Sequence, residues 1–507
     1  MNALLRWPAT AANPRAGLVL LLLPTAVVAV DVNILFLAMP ALTQSLDVTA
    51  TQQLWIGDVY GLVVGVLAIG AGALGDRVGR RRLLLIGCAG FLLASVLAAF
   101  SPTAAVLIAA RVLQGVFGAT LMPSTLALIQ QLFPDEDDRR RAIGLWATCQ
   151  FAFASLGPVV GGVLLHFFWW GSVFLLAGPI CLLVLVLGPR VLPESPTGDG
   201  ASRPDLLSAG LLIAAMAGAF TAVKALIPGA ATPLPITFGA TVVAVGAAAL
   251  FARRQTRLAD PFLDLRLLRT PMILGPVLSL VLVAVVLAGT GFWVTQYLQS
   301  AVGLDPLVAA IAFAPMGLAI GAGTFLAPRL AHALGADRTV IGGLVVSLAG
   351  ALLLLAAAPE RPLLPVLGAV SALAFGCGPL FAFGTAQIVS SAPPQAAGRA
   401  AALAETGNHL GSALGLAVLG TLAASAYALS ARARLAGVDP VPPVDAMAAT
   451  RAAAPTSADP ATVLGALAGA GADVLHVLGM AAAGLLIGCI AVHALTARAR
   501  ARAGAAA

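Results

Sequence analysis

The sequence predicts an all-α integral membrane protein whose chain crosses the bilayer about fourteen times. Three observations carry that reading. Hydrophobic residues make up 60% of the chain and charged residues only 10%, against roughly 25% charged in a soluble domain. The mean hydropathy is +1.00. Apolar runs recur along nearly all of the 507 residues, most of them near the roughly 20 residues that one helix needs to span the hydrocarbon core.

The runs fall near 17–40, 53–74, 83–100, 104–129, 142–165, 169–188, 206–226, 234–251, 272–297, 306–331, 339–357, 363–389, 399–427 and 472–495. With the N-terminus inside and the spans alternating, the loops and tails on that side collect most of the 28 basic residues, among them Arg77, Arg80, Arg81, Arg82, Arg139, Arg140, Arg141, Arg253, Arg254 and Arg257. Only Arg361, Arg432, Arg434 and Arg451 fall in loops on the other side, and Arg111 and Lys224 lie inside spans. The positive-inside rule then places both termini in the cytoplasm of a multi-pass cell-membrane protein. Topology thus accounts for the net charge of +7 without a nucleic-acid partner. The first run does not read as a cleaved signal peptide: it carries Asp31, lacks a small-x-small site and is followed by further spans.

Residue types exclude other chemistries. Lys224 is the only lysine, so a G-x-x-x-x-G-K-S/T phosphate loop cannot form and energy must come from an ion gradient or a partner. Cys88, Cys149, Cys181, Cys377 and Cys489 sit in apolar runs with no C-x-x-C pair and read as small core residues. His166, His332, His476 and His493 fall at span ends or interfaces; neither a metal cluster nor a Ser/His/Asp set is expected, and no cofactor.

The first span carries Asp31 at mid-depth, where a carboxylate costs roughly 2.5–3.5 kcal/mol on insertion scales. In the second, Thr51, Trp55, Asp58 and Leu62 share one helical face. An indole one turn from an acid suits a flat organic cation, and equally fits an interfacial Trp anchor beside an acid held by backbone partners. Tyr60 is grouped with them as a candidate substrate contact. A tight turn follows, with Gly72, Gly75, Asp76, Arg77, Gly79 and Arg80: glycines allow close helix approach and the charges can pair with neighbouring helix ends. The fourth span holds Arg111, with Gln114, Gly115 and Gly118 on its face; a guanidinium there needs an acid or carbonyl partner and is either functional or structural. In the fifth, Gly157 and Gly161 give a close-packing face, with Gly162 beside them, and Pro158 frees a carbonyl. Ser195 to Pro204 is polar and rich in Pro and Gly, a linker before two further spans. In the thirteenth span Glu405, Asn408, His409 and Ser412 line one face. A carboxylate and an imidazole one turn apart can exchange a proton near neutral pH; His409 also fits a hydrogen-bonded core histidine. The three acids Asp31, Asp58 and Glu405 are expected around one cavity.

GALGDRVGRRRLL at 72–84 resembles the loop between the second and third helices of the major facilitator superfamily. Gly144, Gly157, Pro158, Gly161 and Gly162 resemble the glycine–proline signature of its proton-driven exporters, with Phe153 in place of the middle glycine. TQQLW at 51–55, the Asp31 segment, the span count and FWVTQYLQSAVGLDPLVAAIAFAPMG at 292–317 resemble the fourteen-span branch of drug–proton antiporters that export quaternary ammonium compounds and dyes. The resemblance runs from about 15 to 495.

It implies the major facilitator fold: a six-helix bundle over 1–191, linker loops and two inserted helices over 192–270, and a second six-helix bundle over 271–507. The Ala/Pro-rich external stretch 429–471 is assigned no fold. It also implies alternating access driven by a proton gradient, by a chain acting as a monomer and exporting hydrophobic cations. Asp31, Arg111, Glu405 and His409 would couple protons, and Asp31, Trp55, Asp58, Tyr60, Glu405 and Asn408 would contact substrate. An acid commonly stands in that branch where His409 is, and some members carry another where Ile320 is. The alternative reading is a dedicated exporter of one endogenous metabolite or antibiotic.

Overall fold

The computed structural model describes residues 14–194, 205–227, 233–258, 261–263, 267–358, 363–391, 397–438 and 442–506. Among them the regular structure is entirely helical. The first half comprises α1 (Pro14–Leu46), α2 (Ala50–Val78), α3 (Arg80–Ala99), α4 (Ala104–Leu132), α5 (Glu136–Phe167) and a broken sixth span, α6 (Ser172–Leu175) with α7 (Ala177–Val191). An inserted pair follows, α8 (Leu206–Lys224) and α9 (Leu234–Arg257). The second half comprises α10 (Pro271–Gln296), α11 (Pro306–Leu334), α12 (Ala336–Leu353), α13 (Leu364–Ser390), α14 (Ala397–Arg434), the short α15 (Met447–Ala453) and α16 (Pro460–Ala506).

Each of the fourteen expected runs falls on helix. Among the described residues 12 helices are long and apolar enough to cross a membrane, or 13 if the bent α5 is one span. α5 bends by 42° between Ala154 and Leu156. Pro158 lacks the N–H that would reach four residues back, and the bend lies there.

Glycine sets the corresponding turn in each half. Gly79 (φ 98°) joins α2 to α3 and Gly335 (φ 86°) joins α11 to α12, a left-handed backbone that side chains disfavour. Gly79 N–H donates to the Gly75 carbonyl and Gly335 N–H to that of Ala331, both at 2.9 Å. The two turns therefore close their helices in the same way.

Towards the end carrying the termini the core is split. One cluster joins Leu21, Val64, Leu84, Phe91, Leu128 and Val184 of the first half, and another joins Val283, Leu344, Leu373, Cys377, Leu403 and Leu486 of the second. At the opposite end a single cluster spans both halves, including Leu42, Leu54 and Phe174 with Trp293, Leu416, Tyr427 and Val474. The halves thus meet at the far end.

The stretch 429–471, assigned no fold from the sequence, is largely helical among the described residues: α14 runs on to Arg434, α15 forms, and α16 begins at Pro460. Tyr427 Oη donates to Thr450 Oγ1 at 2.6 Å and Arg451 Nη1 to the Ser300 carbonyl at 2.8 Å. Met447, Ala448 and Ala454 are buried. Low-complexity alanine here is helix and core, which composition alone does not separate from an unfolded linker.

Candidate functional site

Asp31 and Arg111 are bonded to each other. Arg111 Nη1 donates to Asp31 Oδ2 at 2.6 Å and to Gln114 Oε1 at 3.0 Å, and Gln114 Nε2 donates to Ser95 Oγ at 2.9 Å. The guanidinium is 1% exposed and the carboxylate 7%, so neither charge is compensated by bulk water. The Tyr60 ring centroid lies 4.4 Å from Arg111 Cζ and that of Phe174 5.8 Å. This is a polar thread through α1, α4 and α3, flanked by aromatic faces that suit a cation. Gly115 brings α4 against α2: a Cβ there would meet Val63 at 2.8 Å.

Asp58 has a different partner. Its Oδ2 is 2.7 Å from Lys224 Nζ, and both side chains are fully buried. The same ammonium lies 3.7 Å from the Trp55 ring centroid and 5.6 Å from that of Phe220. α8 carries Lys224 into the seam between the halves, packing Ala209 and Phe220 against Leu62 and Val66 of α2 and Ala413 and Ala417 of α14. In the sequence Lys224 stands inside a span with no evident partner; a lone lysine at the end of an apolar run is the available signal.

Asp31 and Asp58, expected with Glu405 around one cavity, therefore have separate partners. Asp58 and Tyr60 point to opposite sides of α2, because two residues turn a helix by about 200°. Tyr60, expected to contact substrate, is buried beneath Arg111. On α14, Asn408 and His409 are half-buried, and a Cβ on Gly65 of α2 would meet His409 Cβ at 2.8 Å. The Asn408 carbonyl accepts from Ser412 Oγ at 3.1 Å. The side chain of Glu405 lies outside the described residues.

Three helix pairs close the far end across the halves. Thr295 Oγ1 of α10 donates to the Phe36 carbonyl at 3.2 Å, and Gln299 Nε2, in a π-helical turn at Tyr297–Ala301, donates to the Leu37 carbonyl at 2.9 Å. Gly57 and Gly420 face Leu416 and Leu54 between α2 and α14. Gly162 lets α5 lie on α11: a Cβ there would meet Ala310 Cβ at 2.7 Å and Leu307 Cα at 3.0 Å. Gly161 instead faces Ile34 of α1 at 2.5 Å, and Gly157 and Pro158 are buried. Phe153, at the place of the missing glycine, is 39% exposed, so no close approach is needed there.

In the turn after α2, a Cβ on Gly75 would meet Arg80 Cδ at 2.8 Å, whereas Gly72 faces open space and makes no close approach. Arg77 is exposed, and the side chain of Asp76 lies outside the described residues. Arg81 fastens this turn to the end of α7: it pairs with Glu194 and donates to the carbonyls of Pro189 and Leu192 at 3.1 and 3.0 Å.

Among relatives, the chain is 40% identical over 425 residues to a protein named "Multidrug efflux pump LfrA" of Mycolicibacterium smegmatis, covering 83% of each chain. It is 34% identical over 415 residues to "Methyl viologen resistance protein SmvA" of Salmonella typhimurium, covering 82% of this chain and 83% of that one. A solved bacterial homologue of the human lysosomal transporter Spinster, inward-facing and unoccupied, shares the fold with a TM-score of 0.69 at 16% identity, over 97% of this chain and 98% of that one. A model of the Major Facilitator Superfamily matches residues 21–416, and with the two halves, their matching glycine turns and the inserted pair described above, the chain belongs to that superfamily.

Proposed function

We propose that the chain is a proton-coupled exporter of hydrophobic, mainly cationic drugs, dyes and quaternary ammonium compounds, working by alternating access in a cell membrane. Counting α2 with the thirteen spans above gives fourteen, an even number that supports both termini lying on one side, and the arginine asymmetry supports the cytoplasm as that side. The packed far end then faces outward and the conformation is inward-facing. The names of relatives such as LfrA and SmvA support drugs as the cargo.

The observation that carries proton coupling is the buried Asp31–Arg111 pair. A proton taken up by Asp31 leaves the Arg111 guanidinium without its counter-charge in a low-dielectric bundle, where breaking such a pair costs about 3–5 kcal/mol. That cost can be met by repacking α1 against α4, which makes the pair a two-state element. On this reading the proton gradient is the energy source, no cofactor takes part and the chain acts as a monomer.

Proteoliposomes containing the purified monomer test this. An imposed pH gradient should drive ethidium uptake into inverted vesicles, and ethidium should in turn drive proton movement. Ethidium transport without proton movement would refute the coupling, and no transport of any cation would refute the cargo.

A further inference from the structure

We propose that Lys224 is a tethered competitor for the cation seat formed by Asp58 and Trp55, so that a cationic substrate is admitted there only by displacing the chain's own ammonium. The proposal rests on the cation-export reading above.

The seat has the composition that recognises an organic cation: one carboxylate, the Trp55 face and the Phe220 ring, whose centroids lie 6.4 Å apart. Its occupant is the Lys224 ammonium, 2.7 Å from the acid and 3.7 Å from the indole centroid. The occupant is built to leave. Lys224 is the last residue of α8, and Leu226 just beyond it is 71% exposed. A swing of its flexible stem carries the ammonium out to the surface, as lysines at span ends do. Every other fixed side-chain cation in the sequence is arginine, which binds carboxylates in a rigid two-point fork; lysine is a single point charge on a mobile chain.

Asp58 thus keeps one cation at each stage. When substrate enters, its charge replaces that of Lys224, which moves to water; when substrate leaves, Lys224 returns. No bare carboxylate is left in the seam. The exchange also selects. A small hydrated cation gains nothing that the ammonium lacks, whereas a flat aromatic cation adds ring stacking on Trp55 and burial against Phe220. Displacement also removes the ion pair between α8 and α2, at the seam where α8 touches both halves.

The sole lysine makes the test direct. In purified wild-type protein, an amine-modifying reagent with peptide mass spectrometry reads Lys224 separately from the N-terminal amine. Ethidium should raise the rate of Lys224 modification at least threefold; an unchanged or lowered rate would overturn the proposal. Lys224→Met, which keeps the stem and removes the charge, should lower the ethidium dissociation constant about tenfold. Asp58→Asn/Lys224→Met should lose that gain, and Lys224→Arg should show none. A merely structural ion pair predicts that Asp58→Asn and Lys224→Met are each destabilised, that the double variant regains stability, and that ethidium affinity does not rise in Lys224→Met. Equal affinity of wild type and Lys224→Met refutes the competitor alone. Absence of ethidium binding to either refutes the cation reading beneath it.

Discussion

Asp58 and Tyr60 stand two residues apart on α2 and serve two different cations, Asp58 pairing with Lys224 and Tyr60 lying under Arg111. One helix therefore forms the partition between two buried charge pairs. The Asp31–Arg111 pair lies within the first half. The Asp58–Lys224 pair ties the first half to the inserted helices, beside α14 of the second half. α2 touches both pairs, the first through the Tyr60 ring and the second through the Asp58 carboxylate.

Asp31→Asn should abolish proton-driven exchange while the protein still reaches the membrane. It also removes the counter-charge of Arg111, so thermal stability in detergent should fall, by about 3–5 kcal/mol if nothing rearranges. Asp31→Asn/Arg111→Gln should recover much of that stability without recovering exchange. Wild-type exchange in vesicles from either variant would show that the pair is structural.

Gly162→Val tests the closed far end. The added side chain would meet the backbone of α11 at Leu307 as well as Ala310, and backbone cannot give as a flexible side chain can. The expected result is an exchange rate reduced by tenfold or more, with far-end cysteine probes on α5 and α11 becoming more reactive. A normal rate with unchanged reactivity would show that α5 and α11 need not touch in the cycle.

Asp205 fixes the near end of the inserted pair. Its Oδ1 accepts from Ser208 N–H and from Arg254 Nη2, each at 3.0 Å, and its Oδ2 from Ser208 Oγ at 2.6 Å. Partial burial works to raise its pKa, but the hydrogen bonds from Ser208 and Arg254 outweigh it and hold the carboxyl below its ordinary value. Its contribution is therefore present above the ordinary carboxylate pKa of about 3.9 and is lost as pH falls through the lower folded-state value. Asp205→Ala should cost about 1 kcal/mol, the usual worth of such a cap, at neutral pH. The gap between variant and wild type in thermal unfolding should close below about pH 4; a gap constant with pH would sink the assignment.

Much of this was legible in the sequence, because membrane spans write themselves as long apolar runs and charges inside them stand out. Asp31, Asp58 and Arg111 are conspicuous for that reason, and the cost of burying them is what forces the pairs. The pairing itself was not legible. Asp31 meets Arg111 across 80 positions, and Lys224 reaches Asp58 from a helix pair whose docking side carries no periodic signal, since its faces are apolar all round. Gly161 and Gly162 read alike in sequence yet serve different neighbours, Ile34 and α11. Arg81 was hidden among three consecutive arginines, and only the position of α7 selects it.

The last prediction concerns substrate valence. Of the acids expected to read cations, Asp31 and Asp58 are each already balanced by a cation of the chain, and Ile320 and His409 stand where further acids would add charge. A dication entering this bundle brings more positive charge than these acids can neutralise, and each charge left unpaired at low dielectric costs several kcal/mol. The membrane potential acts in the same direction. Moving one charge against it costs about 2.3 kcal/mol per 100 mV. At one proton per substrate, export of a monocation is electroneutral and draws only on the pH gradient, worth about 1.4 kcal/mol per unit; a dication needs a second proton. Protonated His409 could carry one, but its charge would repel the cation while both are bound. Monovalent dyes and quaternary ammonium compounds should therefore be exported better than long divalent ones, and His409→Asp should raise divalent export several-fold. Paired mono- and divalent quaternary compounds of matched hydrophobicity, compared in one strain, measure this. Equal resistance to both, unchanged in His409→Asp, would show that the number of acids does not set valence preference in this protein.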